Sequence, residues 1–292
     1  MTPSSPDAPR DAGPVGAPER GAPTVQDLEF AALTRKISHE RGFACASYKE
    51  KCLRRRIAVR MRARGVHTFA EYGHVLDGDA AEYDRLLDAL TINVTKLFRN
   101  WSVFETLERH VIPSLWATPA PQLRVWSAGC SSGEEAYSLA ILLYHHAARH
   151  DALDQIGRVR VLGTDIDRDS LAAAVRGQFR AGDFDETPPE LRERYFAPAA
   201  PFALSPAIRA LVRFEQRDLL SDPVPTGGLH LISCRNVLIY FDRDTQERLF
   251  DKFHQALLPG GHLVLGKVET LLGPARAHFA AVDARERIFR RL

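Results

Sequence analysis

Leu123-Arg124-Val125-Trp126-Ser127-Ala128-Gly129-Cys130-Ser131-Ser132-Gly133-Glu134-Glu135 is the stretch on which the reading of the fold turns. A β-rich run, Leu123–Ser127, passes through a turn of small residues into a helical pattern over Glu134–Ala148. The same alternation recurs downstream, with β-rich runs at Val159–Thr164, Leu211–Phe214, Leu229–Cys234 and His262–Leu265 and helical stretches at Asp169–Arg176 and Thr245–Leu257. Strands alternating with helices predict a parallel, doubly wound α/β sheet. Two β-like pieces, His278–Val282 and Arg287–Arg290, have no helix between them and should close the chain as an antiparallel hairpin.

Upstream the period changes. From Asp27 to Leu90 the apolar residues fall at helical spacing, as in Phe30, Leu33 and Ile37, then Tyr48, Cys52, Ile57 and Met61, then Tyr83, Leu86, Leu87 and Leu90. Gly42, Gly65 and the Asp77-Gly78-Asp79 turn punctuate this all-helical unit where helices should end. Residues 1–24 are almost entirely Pro, Ala, Gly, Ser, Asp and Arg, with too little apolar surface to offset the entropy of ordering, and are expected to be a disordered tail. The organisation expected is therefore a tail over 1–24, a helical domain over 25–92 and an α/β domain over 93–292. Residues 177–217 interrupt the alternation with Gly, Pro and aromatic residues.

Lys and Arg total 39 against 37 Asp and Glu, so net charge does not announce a nucleic-acid partner. Cys45, Cys52, Cys130 and Cys234 show no CxxC pair or zinc-ligand spacing and suit reduced thiols. His146 and His150 have a metal-compatible spacing but lack a nearby third ligand, so no metal is expected, and His145, His146 and His150 read as ordinary helix surface. No apolar run approaches the roughly 20 residues of a membrane helix and no signal peptide is apparent, so membrane insertion is not expected and a cytoplasmic location is.

In an open α/β sheet the ligand sits beyond the carboxyl ends of the strands. The turn after the first strand lacks the GxGxxG pattern that seats a pyrophosphate, so a dinucleotide is disfavoured. S-adenosylmethionine carries an ammonium and a sulfonium instead, and acidic residues suit it. Glu134 could face the ammonium, Asp165 at the end of the second strand could accept hydrogen bonds from the ribose hydroxyls, and Asp218 and Leu219 could flank the adenine. Alone, Gly129–Glu135 would also fit a tight strand-to-helix turn whose acids favour the helix dipole.

Three further stretches narrow the reading: Thr91-Ile92-Asn93-Val94-Thr95-Lys96-Leu97-Phe98-Arg99, Ser131-Ser132-Gly133-Glu134-Glu135-Ala136-Tyr137-Ser138, and Ser233-Cys234-Arg235-Asn236-Val237-Leu238-Ile239-Tyr240-Phe241-Asp242. Together they resemble the CheR family of chemoreceptor methyltransferases over nearly the whole chain from about Leu28. The resemblance implies a Rossmann-like class I S-adenosylmethionine-dependent methyltransferase sheet with an N-terminal all-helical domain and a small inserted β subdomain, the terminal hairpin being characteristic of the class. It implies methyl transfer from S-adenosylmethionine to receptor glutamates, with S-adenosylhomocysteine as product. Asn93, Thr95, Arg99, Ala128, Glu134, Asp165, Asp218, Leu219, Arg235 and Asn236 would then form the cofactor shell, and Arg99 and Tyr240 would stand nearest the transferring methyl. In some relatives the inserted subdomain grips a receptor tail by strand addition. Two positions depart from the family's pattern: Leu97 replaces a phenylalanine, and Lys267-Val268 stands where many relatives have His-Ser before Glu269.

Lys49, Lys51, Arg54, Arg55, Arg56, Arg60, Arg62 and Arg64 crowd one helix whose apolar positions Tyr48, Cys52, Ile57 and Met61 pack inward. The cationic face left outward suits docking of the acidic helical cytoplasmic region of a chemoreceptor, although a solvated face or a nucleic-acid surface would share the pattern. A nucleic-acid methyltransferase would usually show Asn/Asp-Pro-Pro-aromatic or Pro-Cys, and Cys234-Arg235-Asn236 has no proline. A module that binds the cofactor without transferring its methyl is the non-enzymatic alternative; Arg99, Asn236 and Tyr240 argue against it.

Overall fold

In the computed structural model, which describes residues 22–91 and 94–292, four helices lead the chain: α1 (Val25–Arg41), α2 (Glu50–Arg64), α3 (Phe69–Gly78) and α4 (Ala80–Leu90). The tail expected over 1–24 lies, up to residue 21, outside the described residues. Gly42 and Gly65 end α1 and α2 in the left-handed conformation, at φ 68° and 69°, and their N–H groups close on carbonyls of the last turn. Thr68 and Asp79 start α3 and α4 by accepting N3 amides. Phe30, Leu33, Ile37, Ile57, Tyr72 and Leu86 meet in the core of this unit.

After α5 (Trp101–Thr106), one π-helical turn and α6 (Ile112–Ala117), the α/β alternation begins: β1 (Leu123–Ala128), α7 (Glu134–Arg149), β2 (Val159–Asp165) and α8 (Arg168–Arg176). The inserted segment contributes β3 (Gln178–Phe179), α9 (Pro189–Tyr195), β4 (Phe202–Ala203) and α10 (Pro206–Arg209). The sheet resumes with β5 (Val212–Gln216), β6 (Leu229–Cys234), α11 (Arg243–Ala256), β7 (Leu257–Leu265), β8 (Phe279–Asp283) and β9 (Ile288–Arg291).

One seven-stranded sheet runs β5-β2-β1-β6-β7-β9-β8, with the first five strands parallel and β9 antiparallel to both neighbours. Alternate residues of β1 serve opposite faces: Val125 joins the α7 cluster, whereas Trp126 packs edge-to-face on Phe253 of α11. The order reverses between β1 and β6, which opens a crevice at their carboxyl ends. The predicted helix over Thr245–Leu257 stops one residue early, because Leu257 pairs with Leu229 and begins the last parallel strand.

Candidate active site

A cleft of about 1120 Å³, open mouth included, lies at that crevice. Thr95, Arg99, Asp165, Asp218, Leu219, Arg235, Asn236 and Tyr240 all line it, although they come from four separate parts of the chain. Asn93 lies outside the described residues. Ala128 and Glu134 do not line the cleft; Gly129 and Glu135, one residue further on, do.

The offset follows from how the β1 turn packs under the β6 loop and how α7 leaves it. Gly129 has φ 77°, and a Cβ there would stand 2.5 Å from a Val237 methyl, so the turn passes close under the β6 loop only as glycine. Successive helical residues point about 100° apart. Glu135 therefore faces the cleft, where Oε1 accepts from Ser127 Oγ at 2.8 Å and Oε2 stands 3.4 Å from Arg235. Glu134 turns away, is buried, and accepts from Ser132 Oγ at 2.9 Å.

Burial pushes the Glu134 carboxyl up to about 7. A carboxyl raised above its unfolded value binds more protons folded than unfolded between those two values. The stability it contributes to the ligand-free protein is therefore present below about pH 4.5 and lost as pH rises toward 7. Glu134→Gln should flatten that decline, and urea unfolding midpoints of the two proteins between pH 5 and 7.5 should diverge accordingly; parallel curves would contradict it.

The carboxylates that line the cleft are each committed. Asp165 accepts from the backbone N–H groups of Ser131 (2.7 Å) and Asp167 (3.0 Å), tying the end of β2 to the β1 turn, while burial pushes its carboxyl up. Asp218 accepts from the Leu220 N–H and the Ser221 hydroxyl. Arg235 is buried to 6% exposure; its guanidinium donates to the Arg99 carbonyl at 2.7 Å and to Asn100 Oδ1 at 3.2 Å besides facing Glu135. Glu269, also buried, gathers the N–H groups of Gly266, Asn236 and Ile239 and so fixes the left-handed turn at Asn236, φ 61°.

The helical unit closes the other side. Lys49 N–H donates to the Tyr240 carbonyl at 2.8 Å, and Asp242 N–H donates to the Ser47 carbonyl at 3.0 Å. Tyr48, read from sequence as a packing residue, lines the cleft, stacked on Phe43 and edge-to-face on Phe241; burial, and then Asp218 nearby, push its hydroxyl upward. Arg56 corrects the picture of a wholly outward cationic face: it is buried, stands 4.3 Å from the Tyr240 ring centroid and donates to the Leu90 carbonyl. Arg54, Arg60 and Arg64 are likewise paired, with Asp27 and Glu50, with buried Glu82, and with Asp79. Of the cations on this helix, Lys51, Arg55 and Arg62 are exposed and without an ion pair or hydrogen bond among the described residues. Helical geometry puts all three on one stripe.

Of the remaining expectations, His145 is buried, with Nδ1 2.9 Å from the Tyr195 hydroxyl, and is not helix surface. Among the described residues no cluster of three metal-capable side chains occurs, and no helix is long and apolar enough to cross a membrane. Leu97 is fully buried, and neither Lys267 nor Val268 lines the cleft. Lys267 instead bonds Ser102 and Glu286, and Val268 is 77% exposed.

Comparison with known proteins agrees with this architecture. The model of the CheR methyltransferase all-alpha domain matches residues 28–91, and that of the CheR methyltransferase SAM binding domain matches residues 93–288. The chain belongs to the CheR methyltransferase family. A chemotaxis protein methyltransferase of Listeria innocua is 36% identical over 263 residues, covering 89% of this chain and 97% of that one. One from Klebsiella aerogenes is 33% identical over 255 residues, 84% of each chain. The family fold is the class I S-adenosylmethionine methyltransferase fold preceded by an all-helical domain, and its cofactor is S-adenosylmethionine. The cleft suits that cofactor. Glu135 and Asp165 put acidic side chains on its wall, Ile166, Leu219 and Val237 supply apolar surface, and the buried Ser131 Oγ has no hydrogen-bond partner among the described residues.

Proposed function

We propose that the protein esterifies glutamate side chains of methyl-accepting chemoreceptors. One observation carries this reading: among the described residues no histidine lines the cleft, and each carboxylate in it is already engaged by backbone amides, hydroxyls or Arg235. Among the described residues no histidine or unengaged carboxylate is therefore placed to deprotonate an amine or hydroxyl acceptor. A glutamate, with an unperturbed pKa near 4.3, is ionised at neutral pH and needs no base.

S-adenosylmethionine supplies an electrophilic methyl on a sulfonium. Glu135 would hold its ammonium, the role the sequence assigned to Glu134, while Asp165 would take the ribose hydroxyls and Asp218 and Leu219 would flank the adenine. Thr95, Arg235 and Asn236 complete the shell. An anion meeting a sulfonium loses charge as the new bond forms, so the low-dielectric cleft favours the transition state. Arg99, whose guanidinium is tethered to the Val94 carbonyl at 2.9 Å, can give the acceptor one oxygen contact without gripping both, and Tyr240, backed by Arg56, orients it.

The acceptor docks along the Lys51, Arg55 and Arg62 stripe, where opposite charge steers an acidic receptor helix. Labelled cofactor incubated with the protein and a receptor cytoplasmic fragment should yield label that alkali releases as methanol, as carboxyl esters do; base-stable label would overturn the assignment. The triple change Lys51→Glu, Arg55→Glu and Arg62→Glu should raise KM for the fragment by roughly tenfold or more at low salt while leaving kcat nearly unchanged. A KM indifferent to those charges and to salt would remove the docking surface from the reading.

A further inference from the structure

The segment that carries Arg99 is held in an unfavourable conformation. Phe98 and Asn100, on either side of it, have φ values of 53° and 61°, and neither is a glycine. Such conformations cost on the order of 1 kcal/mol or more each and persist only where the surroundings over-determine them. The surroundings here come largely from the inserted subdomain. Leu97 N–H donates to the Asp183 carbonyl at 3.0 Å, Lys96 pairs with Asp185 at 2.6 Å, and Asn100 N–H donates to Glu186 Oε2 at 2.6 Å. Arg235 holds the same residues from the opposite side, through the Arg99 carbonyl and Asn100 Oδ1.

A brace must itself be rigid. Residues 183–187 hang on Phe184, which is buried and packs edge-to-face with Phe196 (4.8 Å), Phe202 (5.3 Å) and Phe179 (6.3 Å), with the Arg192 guanidinium 4.8 Å from the Phe184 and Phe202 ring centroids. The subdomain's antiparallel ladder, β3 on β4, is short, two residues in each strand, with one further bridge between Phe196 and Leu204.

We infer that the inserted subdomain is an internal brace for the methyl-transfer segment, with Glu186 as a positioning residue that acts through Arg99. Of its contacts, the Glu186 carboxylate on the Asn100 amide is the one that meets the strained residue next to Arg99. It is a charge-assisted bond to a half-buried amide, and Glu186 makes no other hydrogen bond or ion pair among the described residues, so its removal loosens the segment without opening the core. Displacement of an orienting group by a fraction of an ångström lowers turnover far more than ground-state binding.

The inference rests on the role proposed for Arg99, and two readouts keep it separable. Glu186→Ala should raise hydrogen exchange at the Asn100 amide about tenfold and lower kcat by roughly tenfold, while the Kd for S-adenosylhomocysteine stays within about twofold. Glu186→Gln, which retains an acceptor oxygen, should restore most of both. In an Arg99→Ala background the added Glu186→Ala should cost less than about twofold in kcat, because the group it positions is gone. Unchanged exchange in Glu186→Ala, or an equal kcat penalty with and without Arg99, would overturn the inference. If the wild-type protein formed no base-labile ester, the functional reading would fall, and the exchange comparison alone would still decide whether Glu186 holds the segment.

Discussion

Arg235→Ala should destabilise the protein by about 3 kcal/mol and abolish measurable methyl transfer. Its guanidinium is buried between Glu135, the Arg99 carbonyl and Asn100, and burial lowers its proton affinity, so the site tolerates this charge only because partners surround it. Truncation leaves the Glu135 carboxylate, itself little exposed, without its counter-charge, and frees two acceptors of the strained Arg99 segment. Replacement by lysine keeps the charge but cannot serve three partners in one plane, and should recover stability more than turnover. Denaturant midpoints and single-turnover rates measured together separate the two losses. Near-native stability with normal turnover in Arg235→Ala would show that the buried pair is dispensable.

Asp165→Ala should weaken binding of S-adenosylhomocysteine by on the order of 100-fold or more, since hydrogen bonds to a charged group contribute about 1.5–3 kcal/mol each and two ribose hydroxyls would lose theirs. The same carboxylate also joins Ser131 to Asp167 through their amides, so the proposed ribose contact and the β1 turn would draw on one side chain. Asp165→Asn, which keeps one acceptor, should fall between the two. Calorimetry with the product avoids turnover as a variable, and affinity within twofold of wild type in Asp165→Ala would place the ribose elsewhere in the cleft.

Sheet, helical unit and closing hairpin were legible in the sequence because burial period and turn chemistry are local. Val125 and Trp126 alternate across the sheet, and Gly42 and Gly65 end helices through their own backbone freedom. Residues at strand ends were legible for the same reason: a parallel sheet brings every carboxyl end to one edge, so Asp165, Asp218, Arg235 and Asn236 had to converge.

What required the tertiary structure was direction. Glu134 and Glu135 are equivalent as letters, and only the angle at which α7 leaves Gly133 decides which one sees the cleft. Arg56 belongs to a basic helix by pattern, yet the docking of that helix on the Tyr240 loop buries it, and Tyr48 enters the site by the same contact. Glu186 carries no motif at all; its position beside Asn100 comes from packing across 86 residues of chain. Periodicity settles which residues share a face, whereas the aim of a side chain at another element is settled by how whole elements pack, which no local pattern encodes.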